Sequence, residues 1–207
     1  RLVMARNTSP IVKRSRRLGL VLGKEKYARR RAYPPGVHGP KQSKMRPRIS
    51  AYGEQLREKQ KAKALYGIME RQFRNYFEKA SQTKGNTAEI LVRFLEMRLD
   101  NVVYRLGWGK TRRQARQMVS HGFILVNGKP VDIPSYAVAV GDVVGIKESK
   151  IEKPLVKMIP EIMKSSTTPK WVARDEKVLS GKVTAQPEGE DLDQGFAPTF
   201  IVEFYSR

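Results

Sequence analysis

Residues 99–131 read LDNVVYRLGWGKTRRQARQMVSHGFILVNGKPV, and they carry the clearest structural signals in the chain. Apolar residues recur at i, i+3, i+4 and i+7, which predicts a helix that ends at Gly107 and Gly109. Thr111 and Gln114 match a capping box, so a second helix begins there. This helix has an apolar side and an adjoining cationic side, formed by Ala115, Met118 and Val119 and by Arg112, Arg113 and Arg116.

A small sheet is predicted directly after the second helix. The strand-like runs 123–126 and 129–131 flank Asn127-Gly128, which is the strongest short-range signal of a hairpin with a type I′ turn. Residues 142–146 predict another strand after Gly141. This part of the chain is therefore expected to be two helices packed on a small β-sheet.

The region before this unit is predicted to be helical. Residues 52–65 contain strong helix formers, and Gly67 suits the C-terminal cap. The next helix has an apolar face that we interpret as core, formed by Met69, Phe73, Tyr76, Phe77 and Ala80. Arg71 and Arg74 lie off that face, where they can meet phosphate. Asn86 and Glu89 predict the cap of a further helix that extends through Leu95.

The signals weaken after Lys150. Residues 155–164 suggest a short helix, and residues 171–173 and 182–185 suggest strands. The acidic stretch 188–193 is expected to avoid phosphate, and residues 199–205 read as a C-terminal strand that packs back on the body. The predicted fold class is α+β, with a mostly helical N-terminal domain that carries a basic extended arm. We divide the chain into an arm 1–50, a helical domain 51–96 completed by 195–207, a two-helix and sheet domain 97–150, and an extension 151–194.

The charge is large and unevenly distributed. The 207 residues carry 41 Lys and Arg against 20 Asp and Glu, a formal net charge of +21. Residues 1–50 contain 15 of these cations and one acid, Glu25. Such a density favours a polyanionic partner, because nucleic acid gains counterion entropy when cations neutralise its phosphates. We expect the arm to become ordered on RNA.

Several other classes are excluded or weakened by composition. The chain has no cysteine and only two histidines, so disulfides, thiolate zinc sites and His-rich metal sites are excluded. No apolar run approaches the roughly 20 residues of a membrane span, which predicts a soluble, intracellular protein without a membrane partner. Gly107 to Thr111 fails both the P-loop and the dinucleotide-binding patterns. Glu96 and Asp100 suggest a solvated or arginine-paired face rather than an acid/base pair, so no catalytic residue and no cofactor are predicted.

Residues 111–146 resemble the S4 RNA-binding domain, through TRRQAR at 111–116, VNGKPV at 126–131 and Gly141-Asp142. The rest of the chain is similar to the bacterial-type small-subunit ribosomal protein S4 family. The resemblance is carried by MAR at 4–6, PPGVHG at 34–39, YGEQLREKQK at 52–61, YGIMERQFR at 66–74, KGNT at 84–87, RLDNVVYR at 98–105 and IVEFYS at 201–206. Val12 and Ser15 stand where zinc-binding members carry cysteines, so the chain resembles the zinc-free form. Arg1 to Val3 precede the expected initiator Met4.

The resemblance implies a structural, non-enzymatic protein that binds 16S rRNA early in assembly and organises a helix junction of the 5′ domain. It implies ribosomal proteins S5 and S3 as neighbours, a contribution to translational accuracy with S5, and a ribosome-bound location in the cytoplasm or an organelle. Lys44, Arg46 and Arg48 match a family segment along the path by which mRNA enters. Whether the chain represses its own mRNA stays open. The predicted rRNA-binding residues are Arg6, Lys13, Arg14, Arg16, Arg17, Arg29, Arg30, Arg31, Arg57, Lys61, Arg71, Arg74, Lys84, Arg105, Lys110, Thr111, Arg112, Arg113, Arg116 and Lys129.

Two other classes remain as alternatives from the residues alone. An RNA-modifying enzyme or RNA chaperone could use the same module as an anchor, although the 61 residues after Ile146 lack a catalytic or cofactor motif. A membrane-surface or general polyanion binder would need a broad cationic amphipathic helix, whereas the N-terminus mixes arginine with glycine and proline.

Overall fold

The computed structural model describes residues 9–31, 33–41, 49–175 and 179–207. Two compact units are present, one within Arg1–Leu91 plus Gln194–Arg207 and the other within Val92–Asp193. The fold is α+β, as the sequence predicts, since helices dominate the first unit and the second adds an antiparallel sheet. The finer division at residues 50, 96, 150 and 194 stays a prediction.

The described part of the basic arm contains the short helices α1 (Ile11–Leu18) and α2 (Glu25–Arg29), in which Leu18 and Ala28 are buried. The Ser15 hydroxyl accepts a hydrogen bond from the Leu22 backbone N–H at 3.2 Å, which holds the segment after α1 against that helix. The arm was predicted to be extended and ordered by RNA. In these two segments it is helical, because a few apolar residues already find a buried contact.

Helices α3 (Ala51–Tyr66) and α4 (Glu70–Gln82) form the body of the first unit. The Ser50 side chain accepts from the Gly53 N–H at 3.2 Å to cap α3, and Gly67 ends it with a left-handed φ of 65°. Phe73 is fully buried, as predicted. The prediction that Met69 belongs to the core is wrong, since Met69 is 40% exposed. It precedes α4 and has an extended backbone, so it does not lie on the apolar face of that helix.

The C-terminus is a helix, α10 (Pro198–Tyr205), and the predicted strand over residues 199–205 is wrong. The run is rich in β-formers, but Pro198 suits the first turn of a helix and Ile201, Phe204 and Tyr205 follow helical spacing. Phe204 lies 5.5 Å from Tyr52 and Tyr205 lies 4.8 Å from Phe77, measured between ring centroids. The predicted packing of this segment back on the body is confirmed, although by a helix.

Helices α5 (Thr87–Glu96), α6 (Leu99–Arg105) and α7 (Arg112–Ser120) follow the predicted positions. Asn86 caps α5, since its Oδ1 accepts from the Ala88 N–H at 3.1 Å and its amide donates to Glu89 at 2.9 Å. Helices α6 and α7 pack on each other in the second unit. They bury a continuous apolar core that includes Leu99, Val103, Leu106, Trp108, Met118, Ile124 and Val144.

Within the described residues, the sheet has five antiparallel strands in the order β2-β1-β3-β5-β4. Their bounds are Ile124–Val126, Lys129–Pro130, Val143–Ile146, Val172–Asp175 and Ser180–Val183 for β1 to β5. Asn127 and Gly128 have φ of 49° and 76° between β1 and β2, which confirms the predicted type I′ turn. Strand β5 passes close to α6, and a Cβ at Gly181 would lie 2.1 Å from Leu106.

The segment after Lys150 completes this same sheet. The single helix predicted over residues 155–164 is instead two, α8 (Pro154–Lys157) and α9 (Ile159–Ser165). Pro160 explains the interruption, because proline lacks the N–H that would continue α8 but fits the first turn of a new helix. Short 3₁₀ turns occur at Glu148–Lys150 and Gly189–Leu192.

Candidate nucleic-acid interface

The N-terminus of α7 is built by the predicted capping box. The Thr111 hydroxyl accepts from the Gln114 N–H at 3.2 Å, and Gln114 Oε1 accepts from the Lys110 N–H at 2.9 Å. The glutamine thus reaches one residue further back than in the standard box. Lys110 and Arg113 are exposed here, at the helix end whose backbone N–H groups favour anions.

Behind this helix end, α6 and α7 are joined by a cluster of arginines around two buried carboxylates. We call it the Arg–carboxylate cluster, and it comprises Glu96, Arg98, Asp100, Asn101, Arg105, Arg112 and Arg116. The Glu96 side chain is fully buried and that of Asp100 is 6% exposed. The side chains of Arg105, Arg112 and Arg116 are 21%, 18% and 18% exposed.

Glu96 is the centre of one half of the cluster. It accepts from Arg105 Nε at 2.8 Å and from the Asn101 amide at 2.9 Å, and Arg112 Nη2 lies 3.8 Å away. Arg112 Nε also donates to Asn101 Oδ1 at 2.8 Å, and its guanidinium lies 4.6 Å above the Tyr104 ring. The Asn101 and Glu96 oxygens and the face of the Tyr104 ring therefore fix the plane of the Arg112 guanidinium.

Asp100 is the centre of the other half. It forms a bidentate pair with Arg98 at 3.0 and 2.7 Å, and Arg116 Nη1 donates to it at 3.1 Å. Of the two readings left open for Glu96 and Asp100, the arginine-paired one is confirmed and the solvated one is wrong. The four arginines and two carboxylates of the cluster carry a net charge of +2, which attracts anions.

The β1–β2 hairpin presents Lys129 to solvent on a braced turn. The Asn127 amide donates to Asp142 at 2.8 Å, and Asn127 Oδ1 accepts from the Val143 N–H at 2.9 Å. Asp142 in turn accepts from the Ala139 N–H at 2.8 Å. Asn127 of the predicted VNGKPV motif therefore contacts Asp142 of the predicted Gly141-Asp142 motif, and the predicted cation Lys129 lies two residues after Asn127.

The predicted cations of the first unit lie in different environments. Arg71, Arg74 and Lys84 are exposed, with Arg74 beside Glu78 at 3.1 Å. Arg57 is exposed and donates to the Leu18 carbonyl at 3.4 Å, whereas Lys61 is half-buried and pairs with Glu58 at 2.6 Å. The structure thus gives Arg57 and Lys61 internal contacts that their sequence block did not signal.

The arm forms a cationic cavity of about 430 Å³. Arg16, Arg30 and Arg31 were predicted as binding residues, whereas sequence reasoning missed Lys24 and Tyr27, which also line the cavity with Val12. Arg16 is held by the Tyr33 and Pro34 carbonyls at 3.0 and 3.3 Å. Lys13, Arg17 and Arg29 are exposed and Arg14 is half-buried. Arg6, Lys44, Arg46 and Arg48 lie outside the described residues.

A second group of charges joins α3, α4 and α10, and we call it the C-terminal cluster: Lys59, Lys63, Glu70 and Tyr205. Burial alone would raise the pKa of Glu70, but hydrogen bonds from Lys63, Lys59 and Tyr205 outweigh it and lower the pKa to about 2. Burial and the hydrogen bond to Glu70 raise the pKa of Tyr205. This cluster fastens the C-terminal helix.

Among the described residues, no three His, Cys, Asp or Glu side chains form a group that could hold a metal ion. Within the same residues, no helix is both long and apolar enough to cross a membrane.

Two family models match the chain: the ribosomal protein S4/S9 N-terminal domain over residues 6–96 and the S4 domain over residues 97–144. The small ribosomal subunit protein uS4 of Aquifex aeolicus is 48% identical over 211 residues, covering 99% of this chain and all of the relative. The chain belongs to the ribosomal protein S4 family. Another uS4 relative, from Listeria monocytogenes, is 48% identical over 205 residues and 99% of this chain. That of Acetivibrio thermocellus is 51% identical over 178 residues, which is 86% of this chain and 84% of the relative.

Membership of the S4 family confirms the resemblance inferred from the sequence and gives the chain a structural ribosomal role. The S4 domain match covers α7 and the β1–β2 hairpin. Glu96, Asp100 and Asn101 were not among the residues predicted for the RNA-binding site. The sequence signal for these residues was weak. Glu96 and Asp100 lie four residues apart, and so do Arg112 and Arg116 on α7.

Proposed function

We propose that this chain is a structural component of the small ribosomal subunit that binds 16S rRNA directly and early, and organises a helix junction of the 5′ domain. The observation that carries the proposal is the cationic end of α7 in an S4 domain, where exposed Lys110 and Arg113 flank the Arg–carboxylate cluster. Lys129 extends the same type of surface on the hairpin.

The binding mode we propose is recognition of RNA shape. A-form RNA hides its major-groove base edges, so proteins contact it mainly through phosphates and 2′-hydroxyls. Guanidinium groups match phosphate geometry, and the first N–H groups of a helix add donors. These roles need positioned cations and no acid/base chemistry, so we propose that the protein is not an enzyme and uses no cofactor.

The remaining cations supply further contacts in the proposal. The exposed Arg71, Arg74 and Lys84 serve as phosphate contacts of the helical domain, and the arm 1–50 contributes Arg16, Arg30 and Arg31 from its cavity. Lys61 acts through the fold, because it pairs with Glu58, and exposed Arg57 supplies a further phosphate contact.

Proteins S5 and S3 as neighbours, the mRNA path along Lys44, Arg46 and Arg48, and a contribution to accuracy with S5 rest on the family resemblance. So does the ribosome-bound location, whereas the proposed division at residues 50, 96, 150 and 194 follows from the charge distribution and the predicted helices and strands.

Charge reversal of two exposed cations tests the proposal. Lys110→Glu with Arg113→Glu should weaken binding to 5′-domain RNA by at least about tenfold. The slope of log K against log salt should become shallower by about 0.7–0.9 for each phosphate that the variant no longer neutralises. These exposed positions avoid a clash with the buried carboxylates, which reversal of Arg112 or Arg116 would cause.

The matched control is Lys164→Glu with Lys170→Glu, which makes the same charge change at exposed positions of the same unit. Titration of both double variants at several salt concentrations is the measurement. Equal losses in the two variants would mean that net charge alone drives binding, and unchanged affinity at α7 would contradict the proposed surface.

A further inference from the structure

We propose that Glu96 and Asp100 are positioning residues for RNA binding: they hold Arg105, Arg112 and Arg116 in the orientation in which RNA meets them. The inference rests on the proposed function, since it concerns the same surface. It assigns to two acidic side chains, which would repel phosphate if they were exposed, a favourable effect on RNA affinity.

Burial decides on which side of the arginines the carboxylates lie. The side chains of Glu96 and Asp100 are 0% and 6% exposed, whereas those of Arg105, Arg112 and Arg116 keep about a fifth of their surface in solvent. The carboxylates therefore contact the guanidinium groups from the protein interior. A phosphate that approaches from solvent meets the arginines first, and the cluster keeps its surplus of two positive charges for it.

The contacts restrict direction as well as position. Arg105 and Arg112 are each held through Nε, by Glu96 Oε2 and Asn101 Oδ1, both at 2.8 Å. A bond to Nε lies in the guanidinium plane, so it fixes the rotation of that plane about the side chain. An arginine that is fixed before binding loses less side-chain entropy when RNA arrives.

Stability alone does not account for the cluster. Replacement of a buried ion pair by apolar residues of similar volume is often neutral or stabilising, so a buried carboxylate with three polar partners points to a further role. The cluster also spans α6 and α7, since Arg112 reaches Asn101 and Arg116 reaches Asp100. It thereby sets where the cationic side of α7 lies on the S4-domain unit.

Glu96→Gln tests the inference, because simple electrostatics and positioning predict opposite signs. The substitution keeps the shape of the side chain and raises the net charge by one, so charge alone predicts equal or tighter RNA binding. Positioning predicts binding weaker by about tenfold, the loss expected when one charge-assisted hydrogen bond no longer orients its donor. Glu78→Gln makes the same charge change beside exposed Arg74 and should leave affinity unchanged or slightly raised.

Titration of 5′-domain RNA should use a temperature at which unfolding curves show the full-length variants to be folded. Weaker binding by Glu96→Gln alone supports the inference, and binding equal to or tighter than that of the unchanged protein overturns it. A double-mutant cycle with Arg105→Lys adds a readout that a purely structural role would not move. If Glu96 acts through Arg105, to which it is hydrogen-bonded, the two changes together should weaken binding by less than the product of their separate effects.

Arg112→Lys also serves if Glu96→Gln does not fold. It preserves the charge but removes the planar fork, so positioning predicts affinity lowered about fivefold. Arg207→Lys, at an exposed position outside the proposed surface, should change the affinity less than about twofold. Equal effects of these two lysine variants would overturn the inference. Failure of the unchanged protein to bind the RNA would instead contradict the proposed function, so the two failures are distinguishable.

Discussion

The Arg–carboxylate cluster and the C-terminal cluster use opposite charges in different ways. In the first, buried carboxylates orient partly exposed arginines at the proposed RNA surface. In the second, a Glu70 side chain that is 47% exposed receives Lys59, Lys63 and the Tyr205 hydroxyl, and fastens α10 to the helical body. Arginine offers a planar fork whose direction can be fixed, whereas lysine is a point charge on a flexible stem. The first arrangement suits recognition, and the second suits attachment.

The largest expected effect of a single substitution lies in the Arg–carboxylate cluster. Asp100→Ala leaves the guanidinium of Arg98, whose side chain is 1% exposed, without its bidentate partner. Loss of one side of this buried ion pair should lower the free energy of unfolding by about 3–5 kcal/mol. Urea denaturation followed by circular dichroism measures this loss. A loss below about 1 kcal/mol would show that other contacts replace this ion pair. The Arg–carboxylate cluster would then contribute no more to the free energy of unfolding than the C-terminal cluster does.

The C-terminal cluster should show a smaller, pH-dependent effect. The folded pKa of Glu70, about 2, lies below its ordinary value of 4.5. Its stabilisation is therefore complete above pH 4.5 and is lost as the pH falls towards 2. Because the side chain is half exposed, we expect about 1 kcal/mol between the unchanged protein and Glu70→Gln at neutral pH.

Unfolding of both proteins between about pH 2 and 7 gives the measurement for Glu70. The difference in unfolding free energy should shrink as the pH is lowered. A difference that stays constant over this range would mean that the Glu70 carboxylate contributes nothing through its charge.

The smallest effect separates the hydroxyl of Tyr205, in the C-terminal helix, from its ring. Tyr205→Phe removes the donor to Glu70, at 2.7 Å, but keeps the stacking on Phe77. The free energy of unfolding should fall by about 0.5–1 kcal/mol. RNA affinity should not change, and weaker RNA binding would contradict the division of roles between the two clusters.

Local signals in the sequence predicted much of the fold. Thr111 with Gln114 placed the start of α7, and Asn127-Gly128 placed the hairpin, because caps and tight turns depend on neighbouring residues only. The strand prediction for residues 199–205 was wrong because it also relied on local signals. Their side chains are typical of strands, but contacts with α3 and α4 favour a helix. Tertiary packing overrode local propensity there.

Only part of the candidate site could be predicted from the sequence. The cationic side of α7 followed from helical spacing, but the carboxylates beneath it depend on how α6 approaches α7, which no local pattern specifies. The helices of the arm were likewise unexpected, because segments this short and this rich in cations show no clear helical period. Leu18 and Ala28 are buried in them. The residues predicted to contact rRNA remain predictions.

A cryo-EM structure of this chain bound to 5′-domain RNA tests the central claim most directly. The account predicts that Arg112 and Arg116 place guanidinium nitrogens about 2.7–3.2 Å from RNA phosphate oxygens while they still contact the Glu96 and Asp100 side of the cluster. Arginines that leave these carboxylates to reach the RNA, or an α7 surface that faces solvent while RNA binds elsewhere, would contradict it.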